Sequence, residues 1–566
     1  MTGAAGVVHR FGETALLVDL PDLAAVRSLH RALASEAPAG VVDVVPAART
    51  VLVRCATPAD VADARAWVEG ALLHASSDDG PPPAGAVVEI SVHYDGADLE
   101  DVARWAGVSV EEVVTRHSGR EYEAAFGGFA PGFTYLVGVD PVIAAPRLDT
   151  PRTRVPAGSV ALAGELTAVY PGESPGGWRL LGRTDARMFD VDRDPPALVA
   201  PGARVRFVPS RADASALADV RRGDGRGTAA RGTTAAKDVA GREPGEGRPV
   251  GREPGEGSVG RRAGAGSGTT GAVEVLATGP LVLVEDEGRP GLAAIGVGPS
   301  GAADRTSHAL ANRLVGNLPS AATLEVALGG LALRFRGRAV VALAGAAVPA
   351  TVDGVPVGMN ASVPVPAGGV LRLGLAARGL RTYVAVRGGV TPDAVLGSRS
   401  RDTLAGIGPA PLRPGDELTV GAPVAGRWPL PGVAPVRHVP GELRPGERAV
   451  AVLEVLPGPR ADWFLPGAWQ ALRALRTVSA DSDRVAIRLD GQAVPRRAGE
   501  LPSEGLVRGA VQIPPDGRPV VFLADRPVTG GYPVIGVLRD DDVDRAAQLR
   551  PGDHVVLRAA RPSRRG

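Results

Sequence analysis

Residues 211–271 divide the chain into two parts that must fold separately. This segment contains no aromatic residue and carries the motif GREPGEG twice, at positions 241 and 251. It also holds Lys237, the single lysine of the chain. Such a composition cannot bury enough apolar surface to form a core. We therefore predict a disordered linker, rich in Gly, Arg and Glu, between two folded parts.

The first part opens with alternating strand and helix patterns. Residues 1–92 read βαββαβ, with "VVEISVHY" as the last strand of the pattern. This order is typical of a small split βαβ layer, which we place at residues 1–85. Two short helices, at about 98–106 and 109–117, are predicted to follow.

The rest of the chain is predicted to be rich in β-strands. Short strands alternate with Gly/Pro turns over 86–210, which indicates a barrel or sandwich. In 272–560 one clear helix, at about 303–315, interrupts a similar pattern. The two parts also share an order of motifs, AGSVAL then GGWRLLG in the first and RGAVQI then GGYPVIG in the second. We interpret this echo as a repeated β-barrel unit, so the expected fold class is α+β, mainly β.

Overall composition excludes several functional classes. The formal net charge is +1, so no strong field favours nucleic acid or a membrane surface. No apolar run reaches the ~18 residues of a membrane-spanning helix. The opening residues, MTGAAGVVHRFGE, lack the organisation of a signal peptide. We expect a cytoplasmic enzyme or regulator that binds neither nucleic acid nor membrane.

Two rare residue types exclude further chemistry. The one cysteine, Cys55, lies in an apolar run and is expected to be a small core residue. A single cysteine permits neither a disulfide nor a Cys-based zinc site. Because Lys237 is alone and lies in the linker, a P-loop and a biotin attachment site are excluded, and a Schiff-base lysine is not expected. Phosphate or carboxylate groups must then be bound by arginine.

Long ordered motifs in both parts resemble one known family. In the first part these are GGFAPGFTYLVGVD and PRLDTPRTRVPAGSVALAGELTAVYPGESPGGWRLLGRT, which resemble allophanate hydrolase subunit 1, the B-type subunit of 5-oxoprolinase. In the second part VEDEGRPGLAAIGVGPSGAADRTSHALANRLVGN, SADSDRVAIRLDG and GAVQIPPDGRPVVFLADRPVTGGYPVIG resemble allophanate hydrolase subunit 2, the C-type subunit of 5-oxoprolinase. The likeness covers about 1–210 and 274–560.

The resemblance implies a fold and an activity. Family members have cyclophilin-like barrels in both subunits, with carboxyltransferase subdomains C and D in the first and A and B in the second. With a separate A-type subunit they resemble an ATP-dependent 5-oxoprolinase, which opens the lactam of 5-oxo-L-proline to L-glutamate. The implied cofactor is ATP with Mg²⁺, with no covalent biotin. The implied partners are a protein like the A-type subunit of 5-oxoprolinase, which is a separate chain, and a small cyclic amide.

Two other functions remain open from the same resemblance. Fused relatives form the carboxyltransferase part of urea carboxylase, which uses carboxybiotin carried by another domain. Other relatives are regulators, in which the first subunit inhibits a histidine kinase and the second counteracts it. Because inhibitor and antagonist would here be joined in one chain, we prefer the enzyme.

Candidate catalytic residues in the second part come from two turns. Asp286 and Arg289 follow an apolar strand, and Asp525 and Arg526 precede a Gly-Gly turn. Arginines and carboxylates of this kind suit a site that binds phosphate and directs water or a metal ion, although no metal site is assigned to the chain. The alternatives are a solvated acidic turn and a surface ion pair. The candidate substrate-binding residues of this part are Asp304, which is equally a candidate helix cap, with Asn312, Glu325, Thr529, Gly530, Gly531 and Tyr532.

Candidate residues in the first part lie around the elbow GGFAPGFTYL. Phe129, Phe133 and Tyr135 alternate as on a bent strand, and they form either a planar wall for a small ring or ordinary core packing. Arg147 and Trp178 are the further substrate-binding candidates, and Arg152 and Arg154 offer similar cations. His117 is a candidate acid or base, or a structural histidine.

One motif departs from the family pattern. Relatives usually carry RQTTGGYP, whereas this chain has RPVTGGYP, with Pro527 and Val528 in place of a glutamine and a threonine. An amide and a hydroxyl are therefore absent beside the predicted site, which leaves the substrate open.

Overall fold

The computed structural model describes residues 6–33, 36–74, 87–210, 271–427, 434, 450–499 and 501–560. The predicted linker, 211–271, lies outside the described residues except for its last position. The described residues are mainly β-structure with barrel-like sheets, which confirms the expected fold class. In these ranges no helix is both long enough and apolar enough to cross a membrane.

The chain begins with a four-stranded antiparallel sheet covered by two helices. The strand order is β1-β2-β4-β3. Asp22 caps the first helix, because its Oδ1 accepts a hydrogen bond from Ala25 N at 2.8 Å. Helix and sheet share one apolar core, in which Cys55 is buried as expected. The strands are Val7–Arg10 (β1), Ala15–Asp19 (β2), Val41–Pro46 (β3) and Thr50–Cys55 (β4), and the helices are Leu23–Ala32 (α1) and Val61–His74 (α2).

A seven-stranded barrel-like sheet, the first barrel, follows. Its strand order is β12-β9-β10-β7-β6-β13-β5, and a bridge between His93 and Arg183 joins the two ends. The helices Leu99–Ala106 (α3) and Val110–Ser118 (α4) confirm the two predicted short helices. The strands β5 to β13 are Val87–Val92, Glu121–Gly127, Thr134–Val137, Arg152–Val155, Ser159–Ala163, Leu166–Val169, Ser174–Gly176, Arg179–Arg183 and Arg204–Pro209.

The βαββαβ pattern counted "VVEISVHY" with the first layer, which was wrong, whereas the boundary at residue 85 placed it in the barrel that follows. This strand, β5, pairs in parallel with β13 over its whole length and belongs to the first barrel. Its alternating apolar pattern fits any half-buried strand, so the pattern reveals a strand but not the sheet that receives it. The fourth strand of the first layer is instead β1, which pairs with β2.

The second part begins with a middle unit of two antiparallel sheets that share one core. Six strands form one sheet and five form the other. Its helix, Arg305–Leu314 (α5), confirms the predicted helix. The strands β14 to β24 are Gly271–Ala277, Leu281–Glu285, Thr323–Ala327, Ala332–Phe335, Ala339–Gly345, Ala350–Val352, Val355–Val357, Ser362–Val365, Val370–Leu373, Arg381–Val386 and Glu417–Val420.

The chain then forms a second, closed barrel. Its strand order is β25-β32-β29-β30-β27-β26-β33. Two short helices, Ala468–Leu472 (α6) and Asp540–Ala546 (α7), correct the expectation of a single helix in this part, because segments of five and seven residues are too short to show a helical period. The strands β25 to β33 are Val450–Pro457, Arg476–Val478, Ala486–Asp490, Glu504–Gly505, Ala510–Gln512, Val520–Phe522, Thr529–Gly530, Val534–Leu538 and His554–Ala559.

The two barrels have the same strand order, as the repeated motifs predicted. In each, the first strand pairs in parallel with the last, as β5 does with β13 and β25 with β33. The echoed motifs occupy equivalent places, since Val160 pairs with Gly182 and Val511 pairs with Gly536. A Cβ on Gly182 would lie 2.2 Å from the carbonyl oxygen of His93. The repeated glycine is therefore required where the barrel closes on itself.

The two parts of the chain pack directly against each other. An apolar cluster contains Phe11, Leu17 and Leu52 from the first layer together with Leu506 and Val537 from the second barrel. This shared core brings the end of the first layer against the turns that carry the predicted catalytic residues.

Candidate functional site

Arg484 lies at the centre of a buried charge cluster between the middle unit and the second barrel. Its Nε donates to Asp525 Oδ2 at 2.9 Å, and its Nη2 donates to the carbonyl oxygen of Gly301 at 2.7 Å. Its Nη1 donates to Glu325 Oε1, and Glu285 Oε1 lies 3.3 Å from Nη2. All four charged side chains are at most 4% exposed. One guanidinium thus holds three carboxyl groups away from water.

Neighbouring strands explain this convergence. Glu285 ends β15, and Glu325 lies on the adjacent strand β16. Arg484 precedes β27 and Asp525 follows β30, and these two strands pair antiparallel, so both residues lie at the same end of the second barrel. The cluster therefore follows from strand pairing rather than from sequence proximity.

The carboxyl groups of the cluster differ in charge. Burial raises the pKa of Glu325, but Arg484 and then Arg381 outweigh it and bring the pKa to about 2. Tyr383 Oη also donates to Glu325 Oε2 at 2.7 Å. Burial, which dominates at Glu285, raises the pKa of that carboxyl group well above its usual value. Burial thus favours the protonated form of Glu285, whereas the two arginines favour the ionised form of Glu325.

Asp525 has no spare hydrogen-bonding capacity for a ligand. Its Oδ1 accepts from Ser300 Oγ at 2.7 Å, and its Oδ2 accepts from Thr403 Oγ1 at 2.6 Å and from Thr403 N at 2.9 Å. With Arg484 these donors surround the carboxylate. Asp525 therefore positions the loops around it.

Asp286 and Arg289 organise the neighbouring turn. Asp286 accepts hydrogen bonds from Ser398 Oγ and Ser400 Oγ, both at 2.6 Å, and from Gly288 N at 2.8 Å. Arg289 Nη2 donates to the carbonyl oxygen of Ser400, and burial lowers the pKa of its guanidinium. The same stretch, residues 398–403, thus binds Asp286 through its serines and Asp525 through Thr403. The two predicted turns are side by side.

Asp304 caps the helix α5, and Asn312 is a buried residue of the same helix. Asp304 Oδ1 accepts from Ser307 N at 2.9 Å, which is the helix cap that the sequence left open. Its Oδ2 accepts from Gln548 Nε2 at 2.7 Å. Asn312 is fully buried and donates to the carbonyl oxygen of Ala321 at 2.7 Å. Their described contacts are structural.

A cavity of ≈ 170 Å³ lies where the first layer meets the second part of the chain. It is lined by residues that follow β1, by β3 and β4, by the Asp286 turn and by the second barrel. Four arginines line it, namely Arg54, Arg305, Arg508 and Arg526. Three acidic residues line it as well, namely Glu13, Glu287 and Asp540. This cavity, called the junction cavity below, brings both signs of charge to one small space.

Arg526 is the sequence-predicted residue that lines the junction cavity. Its side chain is 3% exposed, its Nε donates to the carbonyl oxygen of Leu506 at 3.4 Å, and its Nη1 has no hydrogen-bond partner among the described residues. Burial first, and then the positive charges of Arg54, Arg305 and Arg508, lower its pKa well below the usual value. An unpaired buried donor next to like charges is costly without an anion.

The aromatic elbow of the first barrel docks onto the second part. Phe129 has a φ of 64°, and its backbone N donates to Thr529 Oγ1 at 3.0 Å. Gly132 N donates to the carbonyl oxygen of Ile295 at 3.0 Å. A Cβ on Gly128 would lie 2.4 Å from Thr529 Oγ1, so this position has no room for a side chain. The elbow is an interface element.

The aromatic side chains of the elbow pack in the first barrel. The ring centroid of Phe133 lies 5.0 Å from that of Tyr135 and 5.8 Å from that of Trp178. The guanidinium carbon of Arg147 lies 5.8 Å from the Trp178 ring centroid, within reach of a cation–π contact. The structure therefore brings Phe133, Tyr135, Arg147 and Trp178 together. The three aromatic side chains belong to a buried apolar cluster, as in ordinary core packing.

The Gly-Gly turn of the second barrel lies beside the elbow. Thr529 and Gly530 form β31, which pairs with β28, and Gly531 follows. Tyr532 is 41% exposed, and its carbonyl oxygen accepts from Gln512 Nε2 at 2.9 Å. Val528, one of the two departures from the family motif, is buried in the apolar core between the two parts. The lost hydroxyl is thus replaced by apolar packing.

His117 lies in the core of the first barrel. It is fully buried, with Nδ1 2.8 Å from Tyr94 Oη and Nε2 3.0 Å from Thr167 Oγ1. Its ring stacks on Phe207 with centroids 4.6 Å apart. Burial lowers its pKa to about 3, so the ring is neutral near neutral pH. These contacts favour the structural alternative.

The sequence analysis did not identify the arginines of the Arg484 charge cluster or three of the four arginines that line the junction cavity. Arg484 lies within the motif SADSDRVAIRLDG, but nothing in that motif distinguishes it, and Arg54, Arg305 and Arg508 were not considered. The available signal was the absence of lysine outside the linker, which requires arginine for every buried cation. Among 63 basic residues, however, that signal does not identify four.

Comparisons with known proteins give consistent matches for both parts. Residues 6–199 match the family model "Carboxyltransferase domain, subdomain C and D", and residues 295–559 match "Carboxyltransferase domain, subdomain A and B". The first part is 39% identical over 217 residues to the B-type subunit of 5-oxoprolinase from Escherichia coli O157:H7, with 36% of this chain and 95% of the relative covered. The second is 34% identical over 288 residues to the C-type subunit of 5-oxoprolinase from Escherichia coli K12, with 50% and 89% covered.

Two further matches extend the comparison. The crystal structure of TTHA0988 is 34% identical with a TM-score of 0.75, and the match covers 98% of this chain and 100% of that chain. Urea amidolyase of Lachancea kluyveri is 30% identical over 305 residues, which covers 50% of this chain and 17% of the relative. The order of the two parts is therefore found within a single solved chain.

Proposed function

The chain belongs to the carboxyltransferase-domain family, with subdomains C and D ahead of subdomains A and B, and we propose that it is the fused B-type and C-type component of an ATP-dependent 5-oxoprolinase. Together with a separate A-type subunit it hydrolyses 5-oxo-L-proline to L-glutamate. One observation carries the proposal. The parts similar to the B-type and C-type subunits pack against each other through a shared core, and both line the junction cavity.

The chain's own contribution is a fixed arrangement of charges. The Arg484 cluster holds the ends of several strands and residues 398–403 in one place. The neighbouring wall of the junction cavity is built on these same turns, through Glu287 and Arg526. Rigid support of this kind keeps binding groups in position before a ligand arrives.

Nucleotide binding is proposed to belong to the partner. ATP would supply a phosphoryl group that turns the lactam carbonyl oxygen into a leaving group. The junction cavity, at ≈ 170 Å³, is smaller than the roughly 300–1,000 Å³ of pockets that bind drug-sized ligands. Within the described ranges no group of three or more His, Cys, Asp or Glu side chains could hold a metal ion, so the predicted Mg²⁺ does not fit a described site.

Reconstitution tests the proposal directly. The purified chain is mixed with the A-type subunit, 5-oxo-L-proline and ATP, and the release of L-glutamate and phosphate is followed. We expect both products in equal amounts, and only when both proteins are present. Release of L-glutamate without this chain, or no release with it, would contradict the proposal.

Carboxyl transfer is the second candidate function. It is favoured by the family model itself, which describes a carboxyltransferase domain, and by the match to urea amidolyase. The test offers the chain free carboxybiotin and urea, and measures carboxylated urea. Product formation at a rate above that of the uncatalysed mixture would favour this function over lactam hydrolysis.

A further inference from the structure

The charges around the junction cavity are not all paired with each other. Arg54 Nη1 donates to Asp43 Oδ2 and Arg508 Nη2 donates to Asp544 Oδ1, both at 2.6 Å. These two arginines are neutralised by acids on their own side. The charges that remain for a ligand are therefore those of the other lining residues.

The acidic residues of the lining divide in the same way. Glu13 accepts hydrogen bonds from Arg539 Nη1 and from the backbone N of Asp540, both at 2.9 Å. Glu287, Arg305 and Asp540 also line the cavity. The cavity is thus lined by residues of both charges.

Arg526 is the point in the lining at which an anion gains most. Its buried Nη1 has no partner among the described residues, and three of its four strongest charged neighbours are arginines, with Asp43 the only acid. A carboxylate accepting a hydrogen bond from the Arg526 guanidinium would offset the repulsion from those arginines. Charge-assisted hydrogen bonds of this kind are about twice as strong as neutral ones.

The other two carboxylates of the lining select the rest of the ligand. Glu287 and Asp540 would repel a doubly charged phosphate, whereas they can accept hydrogen bonds from N–H groups. The volume of ≈ 170 Å³ lies below the roughly 300–1,000 Å³ of pockets that bind drug-sized ligands. The cavity accordingly suits one small molecule with an anionic end and a donor end.

We propose that the junction cavity binds a small molecule that carries one carboxylate and at least one amide or amine N–H, with Arg526 binding the carboxylate. In taking 5-oxo-L-proline as the ligand to test, the inference rests on the proposed function. The cavity would then be the place where the lactam is held while the partner supplies nucleotide chemistry. Arg526 is a binding residue in this account.

Calorimetric titration of the full chain with 5-oxo-L-proline, in the absence of partner protein and of ATP, tests the inference. We expect saturable binding at one site. Arg526→Met should weaken it by about tenfold to a hundredfold, because one charge-assisted bond is lost. The melting temperature of this variant should not fall, since an unpaired buried cation is removed. Inorganic phosphate should bind much more weakly than 5-oxo-L-proline.

Arg518→Met is the matched control. Arg518 also belongs to the second barrel, but its side chain is 61% exposed and donates to Asp490 Oδ1 at 3.1 Å on the surface. Its removal should leave binding unchanged. Equal binding by Arg526→Met and the unsubstituted chain, stronger binding of phosphate than of 5-oxo-L-proline, or no binding of any carboxylate would overturn the inference.

The two proposals can fail separately. If the reconstituted enzyme releases L-glutamate while Arg526→Met keeps the same KM for 5-oxo-L-proline, the inference fails and the proposed function stands. If 5-oxo-L-proline neither binds nor reacts, but another amide-bearing carboxylate such as succinamate binds in an Arg526-dependent way, the cavity assignment stands and the proposed function fails.

Discussion

The two barrels share a strand order but bury different chemistry. The first encloses a neutral histidine, His117, among aromatic rings. The second places Arg484 and Asp525 at one end, in contact with the middle unit. The shared glycines and the parallel closing strands belong to the scaffold, because both copies need them. Charge is found where one barrel meets another unit, and this is where a binding site can be expected.

The largest effect should follow from Arg484→Met, which tests whether charge at the second barrel is structural. The variant leaves Glu325 and Asp525 buried without their shared cation. Breaking a buried ion pair costs about 3–5 kcal/mol. The midpoint of urea unfolding, followed by circular dichroism at neutral pH, should fall accordingly.

Arg476→Met is the control for this prediction. Arg476 is equally buried in the second barrel, but its guanidinium donates to the backbone carbonyl oxygens of Leu472 and Ala471 rather than to carboxylates. We expect a smaller loss, of about 1–3 kcal/mol. Equal losses for both variants would show that the cluster adds nothing beyond ordinary buried hydrogen bonds.

Acidification should act on the first barrel through His117. Its pKa is about 3 when folded and 6.5 in the unfolded chain, so the unfolded state binds the proton first as the pH falls. The stabilisation is complete above about pH 6.5 and decreases by about 1.4 kcal/mol per pH unit below it. His117→Gln should lack this decrease. Identical pH profiles of the urea midpoint for both proteins would refute a buried neutral histidine.

At the contact between the two parts, we expect stability to depend on pH in the opposite direction, through Glu504. Burial raises the pKa of Glu504 to about 7, in spite of the bond from Arg460, whereas the unfolded value is 4.5. The folded state therefore holds the proton longer. This stabilisation is complete below about pH 4.5 and decreases by about 1.4 kcal/mol per pH unit as the pH rises to about 7. Thermal unfolding of Glu504→Gln should not show this decrease, and a variant that follows the unsubstituted chain would contradict the prediction.

The smallest effect should come from Thr529→Val, which removes one hydrogen bond between the two parts. The Phe129 N–H would lose its acceptor, at a cost of about 1–3 kcal/mol. Thr529→Ser keeps the hydroxyl and should retain most of the stability. If both variants melt at the same temperature, the loss reflects packing rather than the hydrogen bond.

Much of the scaffold could be predicted from the sequence. Glycine positions and apolar alternation depend on neighbouring residues, so the echoed motifs predicted the repeated barrel. Helix α5 and its Asp304 cap could be predicted for the same reason. The strand–helix pattern of residues 1–92 counted β5 with the wrong layer, because pairing partners are set by tertiary contacts far along the chain.

The site was predicted less completely. The turns at Asp286 and Asp525 were identified. Their carboxylates, however, already accept hydrogen bonds from serine, threonine and backbone donors of residues 398–403. Residues 398–403 join the two turns, and Arg484 ties Asp525 to the middle unit; the hydrogen-bond partners of Arg484 are 41 to 183 positions away in sequence. Long-range charge pairing leaves no periodic trace, so it could be found only in the structure.

The parallel seam between the first and last strands has a consequence for synthesis. While a ribosome is still translating the first barrel, Val87–Val92 has an exposed edge whose partner, Arg204–Pro209, does not yet exist. Val450 to Val455 face the same delay, since they wait for His554 to Ala559. Contacts so distant along a chain form late, and open strand edges invite pairing with other nascent chains. Each barrel of this protein is thus at its most vulnerable until its final strand has left the exit tunnel.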